Sequence, residues 1–290
     1  MNGSGARARR FKQVDVFTRT PFRGNPVAVV LESVGLADTD MQRIAAWTNL
    51  SETTFVLPPD APGADYRLRI FTPRAELPFA GHPTIGSAHA VVEAGIARPQ
   101  AGRLRQECGA GVLELSIESG GLIWLKSPLA KVRDLPRERL AELETALGVS
   151  VTEGPLIVHV GPVWLVADLG AARLVDAMEP DFAAIGRLTD AIGATGVTVF
   201  GADPDGGAMH VRSFAPAHGI AEDPVCGSGN VSVGAYLARC GRLARYGRQY
   251  QARQGMQLGR EGSVSVRVED EDIFLGGHAV TCVEGMLRVT

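Results

Sequence analysis

Two short stretches of this 290-residue chain set side chains able to do proton chemistry beside backbone able to hold an anion. The first runs Phe79-Ala80-Gly81-His82-Pro83-Thr84, the second Glu222-Asp223-Pro224-Val225-Cys226-Gly227-Ser228-Gly229-Asn230. A glycine-led helix start leaves backbone N–H groups unpaired at the positive end of the helix dipole, which suits a carboxylate. Gly81 and Gly227 each open such a start, and glycine lets a ligand approach the backbone closely. His82, Asp223 and Ser228 flank these loops as hydrogen-bonding candidates, although an Asp before Pro is also an ordinary turn-starting residue. A third stretch, Asn49-Leu50-Ser51-Glu52-Thr53-Thr54-Phe55, puts one carboxylate between hydroxyl residues just ahead of an apolar strand. If Glu52 faces a dry cleft, desolvation raises its pKa and suits it to take and return a proton. Cys226 precedes Gly227 at a helix start, a setting that lowers a thiol pKa. Its counterpart in the first loop is Ala80, so a two-thiol racemase lacks one of its bases here.

The elements that must position these residues are written twice. Aligning Phe71 with Phe214 gives an offset of 143 residues, and Gly81 with Gly227 one of 146, the second copy carrying the longer loop. Each copy reads as strand, proline turn, glycine loop and helix. Strand patterns over 66–70 and 209–213 precede the loops, and small-residue helices over about 83–94 and 229–238 follow. Those helices are rich in Gly, Ala, Ser and Val and have no polar face, so each must be covered on most sides and forms the axis of a curved sheet. Further strands are predicted at 25–31, 54–57, 111–117, 121–125, 156–160, 163–167, 197–200 and 263–268. Surface helices are predicted from Asp38, as an N-cap, to 46 and over 136–147. The fold expected is α+β, two pseudo-symmetric lobes each with a mostly antiparallel sheet around a central helix. The lobes span 1–128 and 129–290, and the last strand is a candidate to return to the first lobe.

Composition narrows the partners. With 45% hydrophobic and 21% charged residues, a net charge of −3 and basic residues spread along the chain, there is no electrostatic footprint for nucleic acid or an anionic membrane. No run is long and apolar enough for a membrane helix or a signal segment. The basic run Ala6-Arg7-Ala8-Arg9-Arg10 reads as a frayed terminus before the first strand. Cys108, Cys226, Cys240 and Cys282 show neither CxxC spacing nor a metal-ligand pattern, so free thiols, no metal and a cytoplasmic location are expected.

These motifs, in order, resemble the PhzF family of phenazine-biosynthesis isomerase-like proteins, within the diaminopimelate epimerase fold. The resemblance runs through Val14-Asp15-Val16-Phe17-Thr18, Gly24-Asn25-Pro26-Val27-Ala28-Val29, Ser51-Glu52-Thr53-Thr54-Phe55, the two glycine loops, Gln254-Gly255-Met256-Gln257-Leu258-Gly259-Arg260 and Gly276-Gly277-His278-Ala279. It implies two lobes with an active site between them, a homodimer and no cofactor. It also implies that Glu52 shuttles the proton, that Gly81 and His82 hold the substrate, and that Asp223 and Ser228 contribute from the other lobe. One departure is Cys226, where the phenazine-type motif commonly has threonine; it resembles an epimerase cysteine and stands as a relic, a packing residue or an auxiliary acid. The reaction expected is a proton shift on a small carboxylate-bearing, cyclic molecule with Glu52, His82 and Asp223 catalytic and Gly81, Gly227 and Ser228 binding. The alternatives are an epimerase or racemase using Cys226, and an inactive ligand-binding homologue.

Overall fold

The computed structural model describes residues 7–202 and 209–289. The chain divides into two compact units, Met1–Leu125 with Gly277–Thr290, and Lys126–Gly276. The first unit contains β1 (Arg7–Val16), β2 (Asn25–Val30), α1 (Asp38–Thr48), β3 (Thr53–Leu57), β4 (Tyr66–Phe71), the two-residue β5 (Glu76–Leu77), α2 (Gly81–Glu93), β6 (Arg103–Cys108), β7 (Gly111–Ile117) and β8 (Ile123–Lys126), which runs to the boundary. The second contains β9 (Lys131–Asp134), α3 (Leu140–Leu147), β10 (Leu156–His159), β11 (Val163–Ala171), α4 (Ala172–Ala177), α5 (Phe182–Ile192), β12 (Gly196–Ala202), β13 (Met209–Ala215), β14 (Ile220–Asp223), α6 (Gly227–Arg239), β15 (Gln249–Gln254), β16 (Gly262–Glu269) and β17 (Asp272–Gly277).

Both units follow one pairing scheme. β1 and β2 are antiparallel, β2 and β3 parallel, β3 and β4 antiparallel; β4 then takes β5 antiparallel and β6 parallel, and β6, β7 and β8 continue antiparallel. β10 to β17 repeat this in the same order and sense. β9 lies antiparallel beside β10. Its counterpart in the first unit is the last strand of the chain, β18 (Ala279–Val289), which lies antiparallel along β1 from Arg7↔Val289 to Val16↔Ala279.

This is the α+β arrangement expected, and the central helices are where packing decides it. α2 lies against β1, β2, β3, β4 and β18, while α6 lies against β9, β10, β11, β12 and β16. Both are buried along nearly their whole length. A Cβ at Gly86 would stand 2.5 Å from Val27 and 2.8 Å from Val16, so the α2 backbone comes closer to the sheet than any side chain allows. Gly234 does the same more loosely in α6, with Val266 at 3.2 Å.

Three local expectations are corrected. Arg7 to Arg10 are not frayed: they pair with β18, and buried Arg9 donates from Nη1 to the carbonyls of Glu32 and Val34. Ala6 lies outside the described residues. The N-cap of α1 is Ala37, and Asp38, inside the first turn, accepts from Arg69 instead. α3 begins at Leu140, after a 3-10 turn at Arg137–Arg139. All four cysteines are free, and among the described residues no helix is long and apolar enough to cross a membrane.

Candidate active site

In the first unit Glu52 ends the link between α1 and β3. That link is held at both ends: the Thr48 and Thr53 hydroxyls lie 2.6 Å apart, Asn49 takes the left-handed conformation that stops α1, and Ala28 N–H donates to the Glu52 carbonyl. His82 is the second residue of α2, which leaves the extended Ala80 without a side-chain cap. The two elements bring His82 Nδ1 to 3.1 Å from Glu52 Oε2, with the side chains 7% and 16% exposed. On its far side, His82 Nε2 lies 3.3 Å from the carbonyl of Pro26.

That arrangement dictates where protons sit. A carbonyl only accepts, so Nε2 carries a hydrogen toward Pro26. A neutral ring then has a bare Nδ1, whose lone pair would face a carboxylate lone pair. The contact is attractive only if one proton lies in the pair, on Nδ1 or on Oε2. At 3.1 Å the imidazole is the polar neighbour that faces Oε2 in a largely buried setting. Burial pushes the Glu52 pKa up, but hydrogen bonding and charge from His82, with a smaller contribution from Ser51, outweigh it and hold the carboxyl below the ordinary glutamate range. The raised pKa expected from desolvation is therefore reversed, because the same fold that buries Glu52 also delivers its imidazole.

In the second unit Asp223 closes β14. Its Oδ1 accepts from Val225 N–H at 3.1 Å, the turn-starting role open to an Asp before Pro, and its carbonyl accepts from Gln254 Nε2 at 3.0 Å. Gln254 Oε1 in turn accepts from Asn230 Nδ2, which also donates to the Cys226 carbonyl, so β15 ties the loop to the first turn of α6. Gly227 is the first, buried residue of that helix. Ser228 Oγ accepts from the indole N–H of Trp164 at 2.9 Å. A Cβ at Gly229 would fall 2.6 Å from Ser213 Oγ, so this position must stay bare.

Cys226 is the N-cap of α6, its Sγ accepting from Gly229 N–H at 3.2 Å. The helix start was expected to lower its pKa. Burial, with the charge of Asp223 added, pushes it well above the usual thiol range instead. The thiol caps the helix start and is buried, and losing solvent outweighs what hydrogen bonds from Ser228, Gly229 and Ser213 return to a thiolate.

The structure thus brings Glu52, Gly81 and His82 together in the first unit, and Asp223, Gly227 and Ser228 together in the second. It adds groups that residue types did not single out. Pro26 acts through a backbone carbonyl, invisible to side-chain reasoning although it lies within a motif that carried the resemblance. Trp164 needed only the rule that a buried indole N–H finds an acceptor.

Residues 14–285 match the family model described as phenazine biosynthesis-like protein, PhzC-PhzF. The chain belongs to this family. It is 43% identical to antisense-enhancing sequence 1 of Schizosaccharomyces pombe, covering 95% of this chain and 97% of that one. It is 36% identical to the trans-2,3-dihydro-3-hydroxyanthranilate isomerase of Pseudomonas chlororaphis, covering 94% and 97%. A crystal structure of a PhzF-family protein from Bacillus anthracis superposes with a TM-score of 0.83 at 26% identity, over 98% of this chain and all of that one. A hydroxyproline epimerase from Agrobacterium vitis, at 18% identity and a TM-score of 0.66, shares the fold. The chain is accordingly a PhzF-family isomerase with an epimerase-like fold.

Proposed function

We propose that this isomerase carries out a cofactor-free 1,3-prototropic shift on a small, cyclic amino or carboxylic acid, with Glu52 as general acid/base. The observation that supports it is the Glu52–His82 pair, a largely buried carboxyl whose Oε2 faces an imidazole held from behind by Pro26. Oε1 is then the oxygen left for substrate. As carboxylate, Glu52 takes a proton from an activated C–H; the released electron pair moves the double bond by one position; the carboxylic acid so formed returns the proton to the far carbon. Nothing is gained or lost, so no co-reactant is called for.

In this reading His82 and Asp223 act with Glu52 in catalysis, and Gly81, Gly227 and Ser228 hold the substrate. Helix-start amides suit the substrate carboxylate, and preorganised donors of this kind are typically worth about 3–4 kcal/mol each toward charge developing in the transition state. The reading carries with it a homodimer and a cytoplasmic location. The thiol alternative loses ground on two counts: burial pushes the Cys226 pKa well above the usual thiol range, and Ala80 stands at the matching place in the other unit.

The test is solvent-deuterium incorporation with trans-2,3-dihydro-3-hydroxyanthranilate as first substrate, since relatives at 36% identity are named for it, followed by a panel of cyclic carboxylates. Deuterium enters product with the wild type and not with Glu52→Gln. Undiminished incorporation by the variant rejects Glu52 as the shuttle.

A further inference from the structure

The strand before each glycine loop carries the same charged clamp. In the second unit Arg212 Nε and Nη2 donate to the two carboxylate oxygens of Glu222 at 2.9 and 2.8 Å, and its ring-facing guanidinium carbon lies 5.1 Å from the centre of Phe214. In the first unit Arg69 Nε and Nη2 donate to the two oxygens of Glu76, both at 2.7 Å, and its guanidinium lies 5.1 Å from the centre of Phe71. Atom for atom the two are one device, spaced by the same 143 residues from arginine to arginine as from phenylalanine to phenylalanine. The pairing of β4 with β5 and of β13 with β14 puts Leu77 and Asp223 at matching places, each directly after the clamped glutamate.

The two copies differ in what else they hold. Arg69 and Glu76 are 23% and 42% exposed, and the remaining Nη1 goes to Asp38 on the surface of α1. Arg212 and Glu222 are only 5% and 4% exposed, and Nη1 donates to the carbonyls of Val175 and Met178 at the end of α4. A buried pair repays its desolvation only when its hydrogen bonds are filled, and this one fills them with two separate elements. The clamp therefore ties the residue before Asp223, through Arg212 on β13, to the end of α4. From Asp223 the chain of hydrogen bonds through Gln254 and Asn230 reaches the first turn of α6.

We infer that Arg212 and Glu222 form a positioning pair that sets the height of Asp223 and of the α6 start carrying Ser228, without touching substrate. As a statement about activity this rests on the roles proposed above for Asp223 and Ser228. The planar fork of arginine is what the geometry uses, so lysine, with equal charge, cannot replace it.

Trp164 supplies a readout that needs no substrate, because its indole N–H is bonded to Ser228 Oγ. In the full chain, ¹⁵N-labelled, the three tryptophans give three indole resonances, with Trp124, bonded to Glu118, as internal control. The Trp164 signal is expected to shift in Arg212→Lys and in the double variant Arg212→Met with Glu222→Leu, which leaves no lone buried charge. It is expected to hold still in Arg69→Lys, as is the Trp124 signal in the Arg212 variants. On any substrate that turns over, Arg212→Lys is expected to lose about a hundredfold in kcat, the scale of a misplaced group, while Arg69→Lys stays within a few-fold. An unmoved Trp164 resonance in folded Arg212→Lys, or an equal shift in Arg69→Lys, overturns the pair. If Asp223→Asn keeps full turnover while the resonance still moves in Arg212→Lys, the clamp stands and the role given to Asp223 falls.

Discussion

The two glycine-led helix starts share a backbone and differ in nearly every side chain that could react. Ala80-Gly81-His82-Pro83 opens α2, and Cys226-Gly227-Ser228-Gly229 opens α6. Strand register extends the contrast: β3 and β12 align Thr53 with Val197 against Phe71 and Phe214, so the residue matching Glu52 is Gly196. A Cβ there would sit 2.1 Å from the Phe214 carbonyl, which shuts the second unit to any acid at that place. In the other direction Leu77 matches Asp223. The duplicated backbone supplies two amide-rich starts, and the units surround them with different side chains: the imidazole of His82 and the carboxyl of Glu52 in the first, the Ser228 hydroxyl, the helix-capping Cys226 thiol and Asp223 in the second.

The sharpest way to break this contrast is to remove one reactive group from each side. Glu52→Gln is expected to reduce carbon-bound proton exchange by about 10²–10⁴-fold, the usual contribution of a general acid/base, while Cys226→Ala remains within a few-fold of wild type. The opposite result, measured in the same deuterium assay, would move the chemistry to the second unit. Next in size is His82→Gln, expected to lose about 10–100-fold, as befits a charge-assisted hydrogen bond. Its pH–rate profile carries the sign. His82 is what holds the Glu52 pKa down against burial, so without the imidazole that pKa rises and the acid limb, which needs ionised Glu52, moves to higher pH. An acid limb that stays in place would separate the two residues.

The central helices give a third, structural comparison. Gly86→Ala is expected to destabilise by about 1–3 kcal/mol through overpacking, since its Cβ would meet Val27 at 2.5 Å. Gly234→Ala, with 3.2 Å to Val266, is expected to be near neutral, the helix propensity of alanine, worth about 1 kcal/mol, offsetting a mild crowding. Urea midpoints of the two variants measure it, and equal losses would erase the difference in packing. A smaller effect concerns acid stability. Glu52, depressed in the folded state, contributes stability that is present above the ordinary glutamate pKa and lost as pH falls through the folded value. The stability difference between wild type and Glu52→Gln should therefore shrink toward low pH in parallel denaturation curves. Least of all, Cys226 in the folded protein should resist alkylation at neutral pH while the partly exposed Cys108 and Cys282 set the background, because its thiol is buried and pushed up.

Much of the architecture could be read from residues because the same physics acts twice. Alternating apolar positions marked β4 and β13, and helices without a polar face could only be central ones. Short or polar strands escaped: β5 has two residues, β9 reads Lys-Val-Arg-Asp, β6 sets charged residues at every second position, and β15 is half glutamine. Their strand character comes from neighbours, not from their own pattern. Helix α5 carries a sound N-cap in Asp181, whose side chain accepts from Ala184 N–H, a signal that was present and passed over. Arg7 to Arg10 read as a loose end because their partner, β18, lies at the opposite end of the chain.

Periodicity and repeat spacing, properties of the string, were enough for a duplicated α+β fold with its glycine-led helix starts, and the order of the motifs, through the family they resemble, for an isomerase and for which carboxyl and imidazole to suspect. Protonation is not such a property. Whether burial or a hydrogen-bond partner wins at Glu52, and whether a helix start or lost solvent wins at Cys226, depends on which atoms arrive within about 3 Å, and two settings that look favourable in one dimension turned out opposite to expectation in three. Contacts made through a backbone carbonyl, or by one side chain to several elements, such as Pro26 behind His82 or Arg212 between Glu222 and the end of α4, exist only after the chain has folded.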